Sequence, residues 1–515
     1  MKVQAIAPPG KVQSAPDAGA AKLRLGRYWG LVFGLALLLY LATLAPDLVW
    51  QDQGEFQYYS ARLLLSRPGD VVRVHPLYIV TAHYLGRLGQ ATHLFGFAYA
   101  ANLTSAFFMA LAAANITALV LLLTRQRGAA LLAGGLFALT HTAWFNATQA
   151  QTYSMALAAV TGMLALLPGY LAGGRRHLWL LAFVGGLGIS AHMMTQIAFA
   201  VIMLWLLGRV LRGRLAWASY LGLIGAWTVG AMLLWLAIHI EYQRTGDLPG
   251  TLLSAVFGRW KEAVFNLGRL GYLGKRSLLF FGLNFPTPLV LLALPGIRYS
   301  FTRMGNRPMA GLLLAGTLMY ALFAVRYDVP NQNNFFLPMY ALVAIYVGIG
   351  AAYISQDHPK AWMAAAAVAL LALPLTYLGL SELARNRIDL GTKRHIPYRD
   401  EYQYYLRPWQ QGQQGPRRLV RELFAKLPPG AVIMADSTPY FPLQYAHEVE
   451  GQRLDLRILD IGELTWADAR ALKCRVFTLS SQPGYYPRWV EEGCYLHDFP
   501  LAGGERVYEI TWPGE

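Results

Sequence analysis

The residues best suited to chemistry lie in Pro46–Tyr59, which reads PDLVWQDQGEFQYY and follows the first long apolar run. Two carboxylates, Asp52 and Glu55, stand three residues apart there. On a helix that spacing puts both acids on one face. Beside a bilayer a charge is expensive, so ionisable groups at that depth point to function. The same spacing has a plainer reading: Asp at an N-cap with Glu three residues on is a capping box, opening the helix suggested by FQYYSARLLL. Spacing alone leaves both readings open.

Polar and aromatic residues gather in three further stretches: His141–Tyr153 (HTAWFNATQAQTY), His192 within SAHMMT, and Arg326–Asn334 (RYDVPNQNN). Each has a structural account of its own. His141 and His192 suit helix ends. Trp144, Tyr153 and Tyr327 suit an aromatic belt at the membrane surface, and the run Asn331–Asn334 suits a loop holding its own backbone. Gathered on one side of a membrane, with cations in the adjoining loops, they suggest a site for an anionic headgroup.

The elements that must position these residues are membrane spans. Of 515 residues, 55% are hydrophobic and 14% charged, where soluble domains carry about 25% charged residues. The net charge of +16 fits Lys and Arg in cytoplasmic loops, plus some that meet phosphate, better than a nucleic-acid partner. No zinc-type cysteine spacing, Walker loop or dinucleotide fingerprint is present. Two cysteines, Cys474 and Cys494, exclude a dense disulfide scaffold and leave their own pairing open.

Residues 1–27, rich in Ala, Pro, Gly and Lys, read as a disordered cytoplasmic tail. Residues 28–380 hold about eleven apolar runs, the expected spans, with a first outer loop at 46–101. Pro76–Leu94, interrupted by His83, Arg87 and His93, reads as a helix in the interface. The odd count puts the two termini on opposite sides. It also puts Arg125/Arg127, Arg175/Arg176, Arg209/Arg212/Arg214 and Arg298/Arg303/Arg307 on the cytoplasmic side. Arg62, Arg67 and Arg73, then Arg259, Lys261, Arg269, Lys275 and Arg276, fall in long loops on the other side, where an anion would give them a purpose. Residues 381–515 read as a small extracytoplasmic α/β domain, with AVIMAD, LDLRILDI, RVFTLS and RVYEITW as strands and FPLQYAHEV as a helix.

Trp50-x-Asp52-x-Gly54-Glu55-Phe56 after the first span resembles the bacterial protein O-mannosyltransferase-like family of GT-C polytopic glycosyltransferases. HPLY at His75–Tyr78, NLTSAFFMAL at Asn102–Leu111, WFNATQAQTY at Trp144–Tyr153, GLGISAHMMT at Gly186–Thr195 and NNFFLPMYAL at Asn333–Leu342 are similar to it in the same order. The chain departs from the family where a His-Pro-Pro-Gly-Tyr-Pro-Leu run is replaced by Arg73-Val74-His75-Pro76-Leu77. It departs again at Ala150-Gln151-Thr152-Tyr153, where Ala-Glu-x-Tyr is usual, and at the turn Ala435–Pro439.

The resemblance implies an integral protein of the bacterial inner membrane that moves a sugar from a polyprenyl-phosphate carrier to a protein, lipid or glycan acceptor on the outer face. The spacing of the two acids leaves a divalent metal between them open, but the resemblance points to metal-independent catalysis, with no cofactor. A glycosyl phosphate carries its own leaving group, so one base and a set of cations suffice. Asp52 is the expected base, with Glu55 orienting it or the acceptor. Arg73, His75, Arg326, Lys275 and Arg276 are the expected phosphate ligands. His141, Gln151, Tyr153, His192, Asn333 and Asn334 are expected around the substrate. A non-catalytic envelope-assembly subunit would keep the fold without needing the acids. A lipid or glycan transporter would show ionisable residues near the midplane, whereas here they sit at loop edges.

Overall fold

The computed structural model describes residues 18–258, 261–264, 268–354, 359–385, 387–390, 394–472 and 474–512. Arg259 and the Lys261 side chain, named above among the loop cations, lie outside them. The first eleven helices are α1 (Ala18–Ala42), α2 (Gln51–Arg62), α3 (Pro76–Ala91), α4 (Phe97–Thr124), α5 (Arg127–Ala138), α6 (His141–Ala147), α7 (Thr152–Leu171), α8 (Arg176–Ala191), α9 (Thr195–Leu211), α10 (Trp217–Gly230) and α11 (Met232–Thr245). Of the N-terminal tail, residues 1–17 lie outside the described residues, while 18–27, read as disordered, are helical and form the front of α1.

Among the described residues six helices are long and apolar enough to cross a membrane: Leu25–Ala42, α4, α7, Arg307–Arg326, Leu337–Ile354 and Lys360–Ala384. Three bent pairs raise the count to nine if each is one span: α5 with α6, bent by 66°, α10 with α11, by 63°, and Leu270–Asn284 with Pro288–Thr302, by 108°. The sharpest bend falls where Pro286 and Pro288 remove helical donors. The apolar helices α8 and α9 are shorter, and the eleven apolar runs of the sequence each coincide with one of these features. Residues 76–91 form α3, a 16-residue helix outside the set of candidate spans.

Alternating direction brings the C-terminal end of α1, the starts of α4, α7 and α9, and the end of Arg307–Arg326 to one end of the bundle. The C-terminal domain docks on that same end. Its five-stranded sheet has the order β2-β1-β3-β5-β4, with β1 Val432–Ala435, β2 Arg457–Asp460, β3 Val476–Thr478, β4 Tyr495–Pro500 and β5 Arg506–Thr511. β1 pairs parallel with β2 and β3, while β5 pairs antiparallel with β3 and β4. Four strands fall where alternation predicts them. β4, YLHDFP, escapes prediction because it is an edge strand whose residues are mostly exposed. Cys474 and Cys494 are free, half-buried thiols packed against the cluster around Trp489 and Trp512.

The docking is built from apolar packing and charge. Leu48, Trp50, Phe97 and Phe145 of the membrane part share one core cluster with Leu419, Ile433, Leu443 and Phe477. Arg417 forks between Asp47, at 2.6 and 2.7 Å, and Glu450, also at 2.6 and 2.7 Å. The Ala98 N–H donates to the Tyr445 hydroxyl at 3.1 Å. The Tyr58 hydroxyl donates to Glu448 at 2.6 Å, where Arg62 also pairs.

Candidate active site

The site is organised on α2. Its N-cap is Trp50, in extended conformation with no side-chain cap bond, and Gln51 enters the helix from φ 58°. Asp52 therefore sits inside the first turn and neither half of a capping box forms. Its carboxylate looks outward instead: Oδ2 accepts from Asn331 Nδ2 at 3.0 Å and Oδ1 from Arg73 Nη2 at 3.2 Å. The same Arg73 Nη2 donates to Glu55 Oε2 at 2.9 Å, and Glu55 Oε1 is held by the Arg67 guanidinium. Gly54 lets this helix lie flat against the C-terminal domain. A Cβ there would stand 2.6 Å from the Val49 carbonyl oxygen and 3.2 Å from Pro442 Cδ.

The acids differ in exposure. The Asp52 side chain is 40% exposed, whereas those of Glu55 and Asp70 are each 2% exposed. Asp70 lies 3.8 Å from Arg67 and 4.0 Å from Arg73, so three carboxylates share two guanidiniums. Burial pushes the Glu55 carboxyl up to about 7, against the pull of Arg73 and Arg67. For Arg73, burial works against the charge, but Glu55, Asp52 and Asp70 outweigh it and raise its pKa. The segment carrying Arg67 and Asp70 is pinned from α11, where Glu241 accepts from the Gly69 N–H at 2.9 Å and from Ser66 Oγ at 3.2 Å.

Next to the acids is an aromatic wall. His75, the N-cap of α3 with φ 51°, stacks on His192 with ring centroids 4.7 Å apart. Tyr153 packs on His192 at 4.8 Å, Phe56 on His75 at 5.5 Å, and Phe335 on both Tyr153 and His192. Burial, followed by the His192 ring and by Arg73 and Arg67, drives His75 well below its ordinary pKa, so it is a neutral imidazole. His192 Nδ1 accepts from the Met194 N–H at 3.1 Å, which assigns its proton to Nε2.

The other expected residues divide. The Gln151 backbone N–H donates to Ser105 Oγ at 2.7 Å, while its buried side-chain Oε1 has no hydrogen-bond partner among the described residues. Asn334 Oδ1 accepts from Asn146 at 2.9 Å and from Asn333 at 3.3 Å, tying the 331–334 run to α6. Arg276 Nη2 donates to the Val329 carbonyl at 2.7 Å and Arg269 pairs with Asp328 at 2.9 Å, so Arg276 holds the loop that presents Asn331. Lys275, one residue earlier on the same helix, is exposed. Arg326 ends its helix at that loop. His141 belongs to a separate group, packed between Phe145 and Tyr377. Sequence reasoning missed Asn331 and Arg67 as members. Both lay in stretches already singled out, but nothing in a loop sequence fixes which member of an Asn run faces a carboxylate. Among the described residues no group of three or more His, Cys, Asp or Glu is arranged to hold a metal ion.

Residues 52–212 match the family model of the N-terminal domain of the protein O-mannosyl-transferase TMEM260. Asp52, Glu55, Arg73, His75, His141, Gln151, Tyr153 and His192 all lie within that stretch. The fold is similar to that of ArnT from Cupriavidus metallidurans, solved bound to undecaprenyl phosphate, with TM-score 0.55 and 12% identity over 95% of this chain and 99% of that one. The Archaeoglobus fulgidus oligosaccharyltransferase, solved with zinc and sulfate, aligns with TM-score 0.48 and 14% identity over 93% of this chain and 72% of that one. No curated protein sequence matches the chain.

Proposed function

Taking as premise that the chain is a membrane glycosyltransferase of GT-C fold, we propose that it transfers a sugar from a polyprenyl-phosphate carrier to an acceptor hydroxyl on the outer face of the bacterial inner membrane. The observation that carries this reading is the division within the acid group: Asp52 is open to solvent, while Glu55 and Asp70 are enclosed with the arginines. An exposed carboxylate held in place from both sides is what a general base for an incoming hydroxyl requires. The acceptor oxygen attacks the anomeric carbon, Asp52 takes its proton, and the bond from that carbon to the phosphate oxygen breaks with its electrons leaving on the phosphate.

Arg73, shared between the acids, positions Asp52 and offers its remaining guanidinium edge to the phosphate. Lys275 and Arg326 supply further positive charge, while Arg276 acts through the loop it fixes. Neutral His75 and His192 wall the sugar and contribute a hydrogen bond instead of charge. The solved ArnT complex with undecaprenyl phosphate supports a lipid-phosphate ligand for this fold. The acceptor is a protein, lipid or glycan hydroxyl.

The test is a transfer assay with the purified chain, polyprenyl-phosphate-linked sugars and membrane acceptors, read by mass spectrometry of products and of released polyprenyl phosphate. Mass spectrometry of envelope glycans and glycoproteins from cells with and without the chain accompanies it. Transfer with stoichiometric release of the lipid phosphate is expected. No release from any such donor, together with an unchanged envelope, would rule the reading out.

A further inference from the structure

At the end of the bundle remote from the acids, the α7–α8 and α9–α10 turns enclose a polar cavity of about 380 Å³. Arg175, Arg209 and Arg214 line it together with Tyr170 and Ser219, and no acidic residue does. Arg209 is held in an aromatic corner, with its guanidinium carbon 5.4 Å from the ring centres of both Tyr170 and Trp205. The two rings, 82° apart in plane, hold the guanidinium from two sides, and its remaining N–H groups are left for an anion. Its buried Nε has no hydrogen-bond partner among the described residues. Three cations around a recess without a counter-charge repel one another, a cost that a bound anion removes. Leu211 and Trp217, which flank in sequence the cavity-lining residues Gly213–Ala216, are 71% and 54% exposed and give the α9–α10 turn an apolar rim. A soluble anion has no use for such a rim, whereas an acyl chain does.

The geometry points to a binding site for the phosphate group of an anionic lipid, in the leaflet opposite the candidate active site. Arg209 and Arg214 hold the headgroup and the α9–α10 rim meets the acyl chains, as basic pockets between membrane helices do.

The experiment uses the full chain in detergent, with native mass spectrometry after addition of phosphatidylglycerol or phosphatidylcholine. A parallel calorimetric arm uses inorganic phosphate alone. The wild type is expected to retain phosphatidylglycerol several-fold over phosphatidylcholine. R214Q should weaken that retention about fivefold, and R209Q/R214Q by a further factor of about five, from the roughly equal worth of each cation near an anionic lipid. R303Q, a cation outside the cavity, should leave it unchanged. Arg214 is exposed, so R214Q serves even where R209Q disturbs the aromatic corner. Equal retention of the two lipids, or wild-type retention by R214Q and the double variant, overturns the proposal. Tight binding of inorganic phosphate with no preference for phosphatidylglycerol would identify a soluble phosphate and overturn the lipid assignment.

Discussion

Asp52 and Glu55 stand three residues apart in different media, one 40% exposed and the other 2%, and the two should fail differently when substituted. Asp52→Asn keeps an acceptor oxygen for Arg73 and, with the Asn331 amide turned over, a hydrogen bond to Asn331, but removes the proton acceptor. Transfer should fall by about 10²–10⁴ with thermal stability nearly unchanged. Full activity in that variant would move the base elsewhere, with Glu55 next in line. Glu55→Gln should cost less in rate, because its one carbonyl oxygen still accepts from one of the two arginines, Arg67 or Arg73. Glu55 also carries a pH signature. Its carboxyl is raised to about 7 from the usual 4.5, mainly by burial, so the folded chain holds that proton more tightly than the unfolded one. The stability this contributes is complete below about 4.5 and is lost as pH rises through about 7. Melting temperatures across that window should decline in the wild type relative to Glu55→Gln. Parallel curves would show that Glu55 is charged throughout.

At the scale of elements, α2 shows both what the sequence carries and what it withholds. The helix and the shared face of its acids are legible in PDLVWQDQGEFQYY. The capping box is not formed, because Gln51 turns through φ 58° and makes Trp50 the N-cap. Local spacing cannot register that, since the partners that draw Asp52 outward, Arg73 and Asn331, come from distant loops. The apolar runs mark the spans because burial in lipid is a compositional demand. Edge strand β4 and the Arg417–Asp47 clamp, which joins residues 370 positions apart, leave no periodic trace. Gly54 tests the docking of α2 on the C-terminal domain. In Gly54→Ala the new Cβ meets a backbone oxygen at 2.6 Å, which cannot yield as a flexible side chain would. Overpacking of this kind costs roughly 1–3 kcal/mol. A lower melting temperature and faster proteolysis within residues 394–414 are expected, and wild-type values for both would show that α2 and the C-terminal domain separate freely.

The whole molecule is polarised along its axis. Four of the connections away from the acids, containing Arg125/Arg127, Arg175/Arg176, Arg209/Arg212/Arg214 and Arg298/Arg303/Arg307, carry no acidic residue, and the connection 355–358 carries one, Asp357. The opposite end holds Asp47, Asp52, Glu55, Asp70 and Asp328, each set against arginine. Short basic turns are retained in the cytoplasm, whereas long mixed-charge loops and folded domains cross the membrane largely regardless of charge. The arginine turns should therefore face the cytoplasm and the acids the outer side. With Cys474 and Cys494 first replaced by Ser, Gln482→Cys in the sheet domain and Arg212→Cys in the α9–α10 turn place one exposed thiol at each end. A membrane-impermeant maleimide should label Gln482→Cys in intact spheroplasts and Arg212→Cys only after permeabilisation. The reversed pattern would put the acids on the side where soluble nucleotide sugars are at hand. A donor carried across the bilayer on a lipid phosphate would then have no purpose, and the proposed reaction would lose its substrate while the acid–arginine geometry stood.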